Sequence, residues 1–192
     1  DLHGMDGIDH LLGGAGYDAL DGGEGPDFAN YSTAAGPVLV NLLAPAENVG
    51  EAAGDSYFAI EGLIGSAFDD TLRIDNNGGS IWANAGNDFL FGGGSADDLH
   101  GMDGIDHLLG GVGADVLDGG AGVDFANYSA AAAMVLVNLL TPGGNLGEAA
   151  GDSFASIEGI IGSSFGDVLR VGHWGGSVWA NAGNDHLFGG QG

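Results

Sequence analysis

The sequence predicts an all-β fold, a solenoid of stacked nine-residue turns interrupted by two longer inserts. Three observations carry this. Residues 1–14, DLHGMDGIDHLLGG, recur unchanged at 98–111, and the 97-residue offset continues without a gap, with 68 of 95 aligned positions identical. A nine-residue period lies inside each copy, on the template G-G-x-G-x-D-x-U-x with U apolar, a pattern of parallel β-helical repeats. Two segments fall outside that frame, 31–64 and 128–161, each 34 residues long and similar to one another.

Composition narrows the field. The 192 residues include 41 Gly and 4 Pro, near the level at which an aperiodic chain is disordered. There are 27 acidic residues against 2 basic ones, Arg73 and Arg170, for a net charge of −25. Nucleic-acid binding lacks its basic footprint. An anionic membrane surface would repel the chain. Without cysteine there are no disulfides and no thiolate metal sites. No apolar run reaches the ~18–20 residues needed to span a bilayer, so no membrane insertion is expected. The apolar fraction of 44% includes much alanine. Either the chain is disordered, or something besides apolar burial holds it together.

In order along the chain, residues 1–30 read as nonads ending a preceding block, framed from Gly4. Residues 31–64 are the first insert. From Gly65 to Asn127 seven nonads run unbroken. Residues 128–161 are the second insert, and 162–192 open a further block. The sequence starts and stops inside smaller motifs, and we read it as a window on a longer array. In each nonad, positions 1–6 are assigned to a turn and positions 7–9 to a short strand. Alternation along that strand turns only position 8 inward. Its occupants are Leu11, Leu20, Leu72, Ile81, Leu90, Leu99, Leu108, Leu117, Leu169, Val178 and Leu187, with Ala29 and Ala126 before the inserts. Within the inserts VLVNLL, at 38–43 and 135–140, reads as a strand.

The turn carries the chemistry. Gly at positions 1, 2 and 4 permits backbone angles that a Cβ forbids and lets carbonyls converge. Asp at position 6 adds a carboxylate. Hard oxygen donors of this kind suit Ca²⁺, which takes six to eight of them at ~2.3–2.6 Å.

GGAGYDALD (13–21) and GGVGADVLD (110–118) closely resemble the nonapeptide of the RTX, or hemolysin-type calcium-binding, family, and the inserts resemble the segments that interrupt such arrays. The resemblance covers nearly the whole chain. It implies a right-handed parallel β-roll in which two nonads make one coil, alternate nonads stack, and several Ca²⁺ ions lie between stacked turns. The implied carboxylate ligands are Asp9, Asp18, Asp27, Asp70, Asp88, Asp97, Asp106, Asp115, Asp124, Asp167 and Asp185. Stacking would pair Asp9 with Asp27, Asp70 with Asp88, Asp88 with Asp106, Asp97 with Asp115, Asp106 with Asp124, and Asp167 with Asp185. The carbonyls assigned to complete the shells are those of Gly4, Gly14, Gly16, Gly86, Gly93, Gly104, Gly111, Gly113, Gly122 and Gly183. The chain departs from the pattern where Gly79 and Gly176 occupy position 6, so a missing or weak site is expected there and Asp97 loses its upstream partner. Phe68 and Phe165 occupy position 4, which weakens the case for the Asp70 and Asp167 sites.

The same geometry would align Phe89, His107, Phe125, Phe91 and Leu109 on the outside of one sheet. That face is too apolar to stand bare, and the insert is the expected cover, with a neighbouring chain as the other candidate. Trp82, His100 and Asp118 would form a row on the other sheet, where an exposed Trp could stack on surface carbohydrate or serve packing. His3, His10, His100, His107 and His186 fall at outward positions, and His173 in a turn; they read as surface histidines. GSSFG (162–166) matches a nucleophile elbow, but no acid or base is placed to serve it. NYS, at 30–32 and 127–129, fits a glycosylation sequon but closes each nonad array and reads as structural.

The functional expectation is therefore not an enzyme. It is a calcium-stabilised structural region of a large secreted or cell-surface bacterial protein of adhesin, surface-layer or filament type, with further copies of itself as possible partners. Calcium would couple to folding, because the small apolar column alone cannot offset chain entropy and acidic repulsion. Export unfolded and folding outside the cell would follow. The alternative is the RTX export and folding region of a secreted enzyme, such as a protease, lipase or alginate-modifying enzyme.

Overall fold

The structure, a computed structural model, describes residues 1–172 and 176–190; His173 lies outside these. In the seven-nonad stretch, strands begin every nine residues: Thr71–Arg73, Ser80–Trp82, Phe89–Gly93, Asp98–Gly104, His107–Gly111, Val116–Gly122 and Phe125–Asn127. Successive strands alternate between two seven-stranded sheets, and all pairing between strands is parallel. We call the sheet containing Phe89–Gly93 the first sheet and the one containing Ser80–Trp82 the second. The register advances by two nonads per rung, as in Phe89↔His107 and Leu99↔Leu117. This is a parallel β-roll.

Position 8 faces the interior. Leu72, Ile81, Leu90, Leu99, Leu108, Leu117 and Leu169 are fully buried and form a column one side chain thick. The column is exposed at its last rung, where no coil packs over Leu187 among the described residues.

The inserts do not cover the roll from outside; they contribute strands to it. Leu39–Asn41 pairs ahead with Thr71–Arg73 in the first sheet. The chain then turns back, so that Ser56–Phe58 stacks on Ala19–Glu24 and Gly62–Ile64 stacks on Phe28–Asn30. Val40 therefore faces inward and is fully buried, in register with Leu72. This corrects the expectation of a covering insert. Its strand edge finds unpaired backbone groups on the next coil, a better partner than an already paired sheet face. The outward aromatics cover one another instead. Phe89, His107 and Phe125 stack at centroid separations of 4.6 and 5.2 Å, and Trp179 follows at 5.3 Å. The guanidinium of Arg73 lies over the Phe91 ring at 4.3 Å.

A second ladder, His10, Phe28, Trp82 and His100, runs along the second sheet. In both ladders the phenylalanine lies over a side-chain-free position, Gly62 or Gly159, where any Cβ would collide with the ring. Phe28 and Phe125 are equivalent in the 97-residue repeat, as are Trp82 and Trp179, yet they lie on different sheets. An odd number of nonads per unit makes successive inserts enter from alternate sheets, so equivalent surfaces appear on opposite faces.

Candidate metal centre

The position-6 aspartates form ladders along the turns. The amide of Asp9 donates to Asp27 Oδ1 (2.8 Å), Asp70 to Asp88 (2.7 Å), Asp88 to Asp106 (2.8 Å), Asp106 to Asp124 (2.8 Å), Asp97 to Asp115 (3.0 Å) and Asp167 to Asp185 (2.9 Å). These are the six pairs that stacking implies. Each accepting carboxylate in these pairs is thus held to the preceding coil through its Oδ1. The other oxygen, Oδ2, is buried without a hydrogen-bond partner in Asp9, Asp27, Asp88, Asp97, Asp106, Asp115 and Asp124. A buried carboxylate oxygen with no donor is costly. Its repetition along the roll calls for a shared counter-charge.

At Asp9, Asp97 and Asp106 the free Oδ2 faces the position-1 glycine of its own turn and the position-1 carbonyl of the next coil, whereas position 1 of the Asp88 turn is Ala83. A Cβ on Gly4 would lie 2.7 Å from Asp9 Oδ2 and 2.5 Å from the Gly22 carbonyl. A Cβ on Gly101 would meet Asp106 Oδ2 and the Gly119 carbonyl, and one on Gly92 would meet Asp97 Oδ2 and the Gly110 carbonyl. The missing side chain leaves a cradle lined by oxygen. Among the described residues no three His, Asp or Glu side chains gather on one point. An ion held here would therefore draw on backbone carbonyls, a donor set that suits Ca²⁺.

Burial is the largest cause raising the carboxyl pKa of Asp88 to about 7 and of Asp97, Asp106 and Asp115 to about 6. Neighbouring carboxylates push the same way, Asp106 and Asp70 on Asp88 and Asp124 on Asp106. Desolvation and like charge both oppose ionisation, and a divalent cation would reverse both.

The eleven aspartates do not have equal surroundings. Asp70 Oδ1 accepts from the Val38 amide (2.7 Å) and Ser66 Oγ (2.8 Å), and its Oδ2 from the Ser66 amide (2.5 Å). Asp167 repeats this with Val135 and Ser163. Both carboxylates are filled by protein donors and anchor the insert strand to the array. Asp18 and Asp185, in the first and last turns of their ladders, are partly exposed. At Gly79 the amide still donates to Asp97 Oδ1 (2.9 Å), so Asp97 lacks only an upstream carboxylate. A Cβ at Gly79 or Gly176 would strike the Glu61 or Glu158 carbonyl, which explains why no aspartate stands there.

The carbonyls facing the free Oδ2 atoms belong to position 1, at Gly22, Gly110 and Gly119. Those of Gly86 and Gly104, at position 4, are aimed at Gly104 and Gly122 of the next coil, and Gly93, at position 2, at Gly111. Gly93 also accepts from the Val112 amide (3.0 Å). Gly4 is the one position-1 residue in the sequence-derived carbonyl set; Gly14, Gly16, Gly113 and Gly183 lie at positions 2 and 4 of their turns. The template holds glycine at all three positions, so only geometry separates them.

Four acidic residues of the inserts extend the ladders and were missed by the nine-residue frame. Asp55 and Asp152 accept from the amides of Asp18 and Asp115 (2.9 and 3.0 Å), and Glu61 and Glu158 from those of Asp27 and Asp124 (both 3.0 Å). Their signal is the insert length: Glu61 follows Asp27 by 34 residues and therefore falls in register once the insert is closed. The buried hydroxyls of Tyr31 and Tyr128 donate to Asp55 (2.9 Å) and Asp152 (2.7 Å), which makes the tyrosine of each NYS triplet structural.

A family model, the RTX calcium-binding nonapeptide repeat, matches the chain in four copies, over residues 1–29, 77–108, 91–126 and 177–192. No curated protein matches it. Among the described residues no helix is long and apolar enough to cross a membrane.

Proposed function

As the chain belongs to the RTX calcium-binding nonapeptide repeat family, we propose that it is a calcium-stapled structural stretch of a long extracellular repeat protein of adhesin, surface-layer or filament type. The family makes it a calcium-binding repeat region of a secreted bacterial protein, with several Ca²⁺ ions bound along its turns. The ion ligands we assign are the buried Oδ2 atoms of Asp9, Asp27, Asp88, Asp97, Asp106, Asp115 and Asp124, with backbone carbonyls of the neighbouring coil. Asp70 and Asp167 are assigned to anchoring.

One observation supports the structural role above others. The inserts supply strands to the sheets, and at each insert one seven-stranded sheet runs through while the opposite face breaks between a three-stranded and a seven-stranded sheet, so the units are joined by a shared sheet rather than by a linker. A module repeated at about seven identities in ten and fused through its own inserts suits a stiff spacer or lattice element. Equivalent aromatic ladders on opposite faces suit side-by-side association of copies.

The test is a calcium titration followed by far-UV circular dichroism and electron microscopy. Coil in chelator, β-structure in millimolar calcium, and rods or ordered arrays in the images are expected. Isolated compact particles at every calcium concentration would sink the lattice reading. Folding that ignores chelator would sink the calcium-staple reading.

A further inference from the structure

We infer that each insert closes a calcium site of its own at the junction with the nonads, built from Asp27, the carbonyl of Ala59 and Glu61 in the first copy and from Asp124, the carbonyl of Ser156 and Glu158 in the second. The inference rests on the assignment of the Oδ2 cradle to calcium. The last nonad before each insert has no following nonad to complete its cradle, yet Asp27 and Asp124 are fully buried and each keeps an unpartnered Oδ2. The insert supplies what is missing. A Cβ on Gly22 would lie 2.6 Å from Asp27 Oδ2 and would collide with the Ala59 carbonyl, which stands where a position-1 carbonyl stands elsewhere. In the second copy a Cβ on Gly119 would collide with the Ser156 carbonyl and with the Asp124 side chain.

That carbonyl is aimed by an uncommon backbone. Ala59 and Ser156 adopt φ of +48° and +49°, the left-handed region that residues with a Cβ seldom enter. Such conformations persist where the surroundings enforce them and cluster at ligand clamps. Two residues later the glutamate takes the place of the position-6 aspartate. Its Oε2 accepts from the Asp27 or Asp124 amide at 3.0 Å, and its second oxygen is left for an ion. The segment is locked by the amides of Glu61 and Gly62, which both donate to the Asp27 carbonyl at 3.0 and 2.9 Å. Asp124 holds Glu158 and Gly159 in the same way at 3.1 and 2.8 Å.

The experiment counts Ca²⁺ per chain by native mass spectrometry and calorimetric titration for wild type, Glu61→Gln/Glu158→Gln, and Asp106→Asn. Glutamine keeps an acceptor for the aspartate amide while removing the charge. The double variant should lose one ion at each junction, or bind it at least tenfold more weakly, with the remaining ions unchanged. Asp106→Asn should lose ions from the array only. A full complement at wild-type affinity in the double variant, alongside losses in Asp106→Asn, overturns the junction sites and leaves the nonad sites standing. A full complement in both overturns the nonad reading as well. Should the double variant not fold, Tb³⁺-loaded wild-type crystals decide by anomalous density: a peak between Asp27 Oδ2 and the Ala59 carbonyl supports the site, and its absence beside peaks in the array overturns it.

Discussion

The amide of Asp88 donates to Asp106 Oδ1 at 2.8 Å, while Asp106 Oδ2 is buried without a donor. One carboxylate therefore both aligns two coils and leaves a charge to be neutralised between them. The first role sets the register of the roll. The second makes its stability depend on something outside the polypeptide.

Asp106 also binds its own amide to Asp124 (2.8 Å), so it stands in two consecutive links. Asp106→Ala should weaken calcium binding in both adjoining turns by about tenfold or more each, ~1.4 kcal/mol per site. Asp75→Ala is the control. Asp75 is partly exposed, and its carboxylate accepts from Asn77 within its own turn. Calorimetric titration of both variants checks this, and equal affinities would show the ligand frame to be wrong.

The core column makes a second forecast. Leu108 is fully buried between Leu90 and Ala126, so truncation leaves a cavity that the ladders above and below cannot close. Leu108→Ala should cost about 2–5 kcal/mol in calcium-loaded protein. Leu187→Ala, at a rung that is half exposed, should cost far less. Denaturant melts at fixed free calcium give both numbers, and similar losses would contradict a column that carries the fold.

Much of this was legible in the sequence because the nonad is both a structural and a chemical period. Position 8 named the column, and position 6 named the ladder from Asp88 to Asp124, since both depend only on residues 18 apart. The inserts were opaque for the same reason. Their strands pair at separations of 32, 34 and 37 residues, which no single period reveals. Glu61 looked unremarkable because its register depends on the path of the chain through that loop. The saturation of Asp70 by Ser66 and Val38 depends equally on three-dimensional closure.

Tyr128 tests the insert from within. Its buried hydroxyl donates to Asp152 Oδ2 at 2.7 Å, while Asp152 Oδ1 accepts from the Asp115 amide at 3.0 Å. Tyr128→Phe removes one donor and strands a buried carboxylate oxygen, a loss of roughly 1–3 kcal/mol. For a chain of this size each kcal/mol lowers Tm by about 2–4 °C. Thermal melts in saturating calcium should show that drop. An unchanged Tm would mean that the hydroxyl bond does not stabilise the insert.

The metal-free chain should fold better in mild acid than at neutral pH. Burial raises Asp88 to about 7 and Asp97, Asp106 and Asp115 to about 6 in the roll, above the ordinary carboxylate value that the unfolded chain retains. Between roughly pH 4 and 7 the folded state therefore holds more protons, and its stability falls as pH rises. His107, lowered by burial, acts in the opposite direction but is one group against several. In calcium-free buffer the β-signal should be stronger at pH 5 than at pH 8. Added calcium should restore it at pH 8, where the ion takes over the charge that the protons neutralised. A chelated chain with more β-structure at pH 8 than at pH 5 would show that these carboxylates are not what keeps the roll from closing unaided.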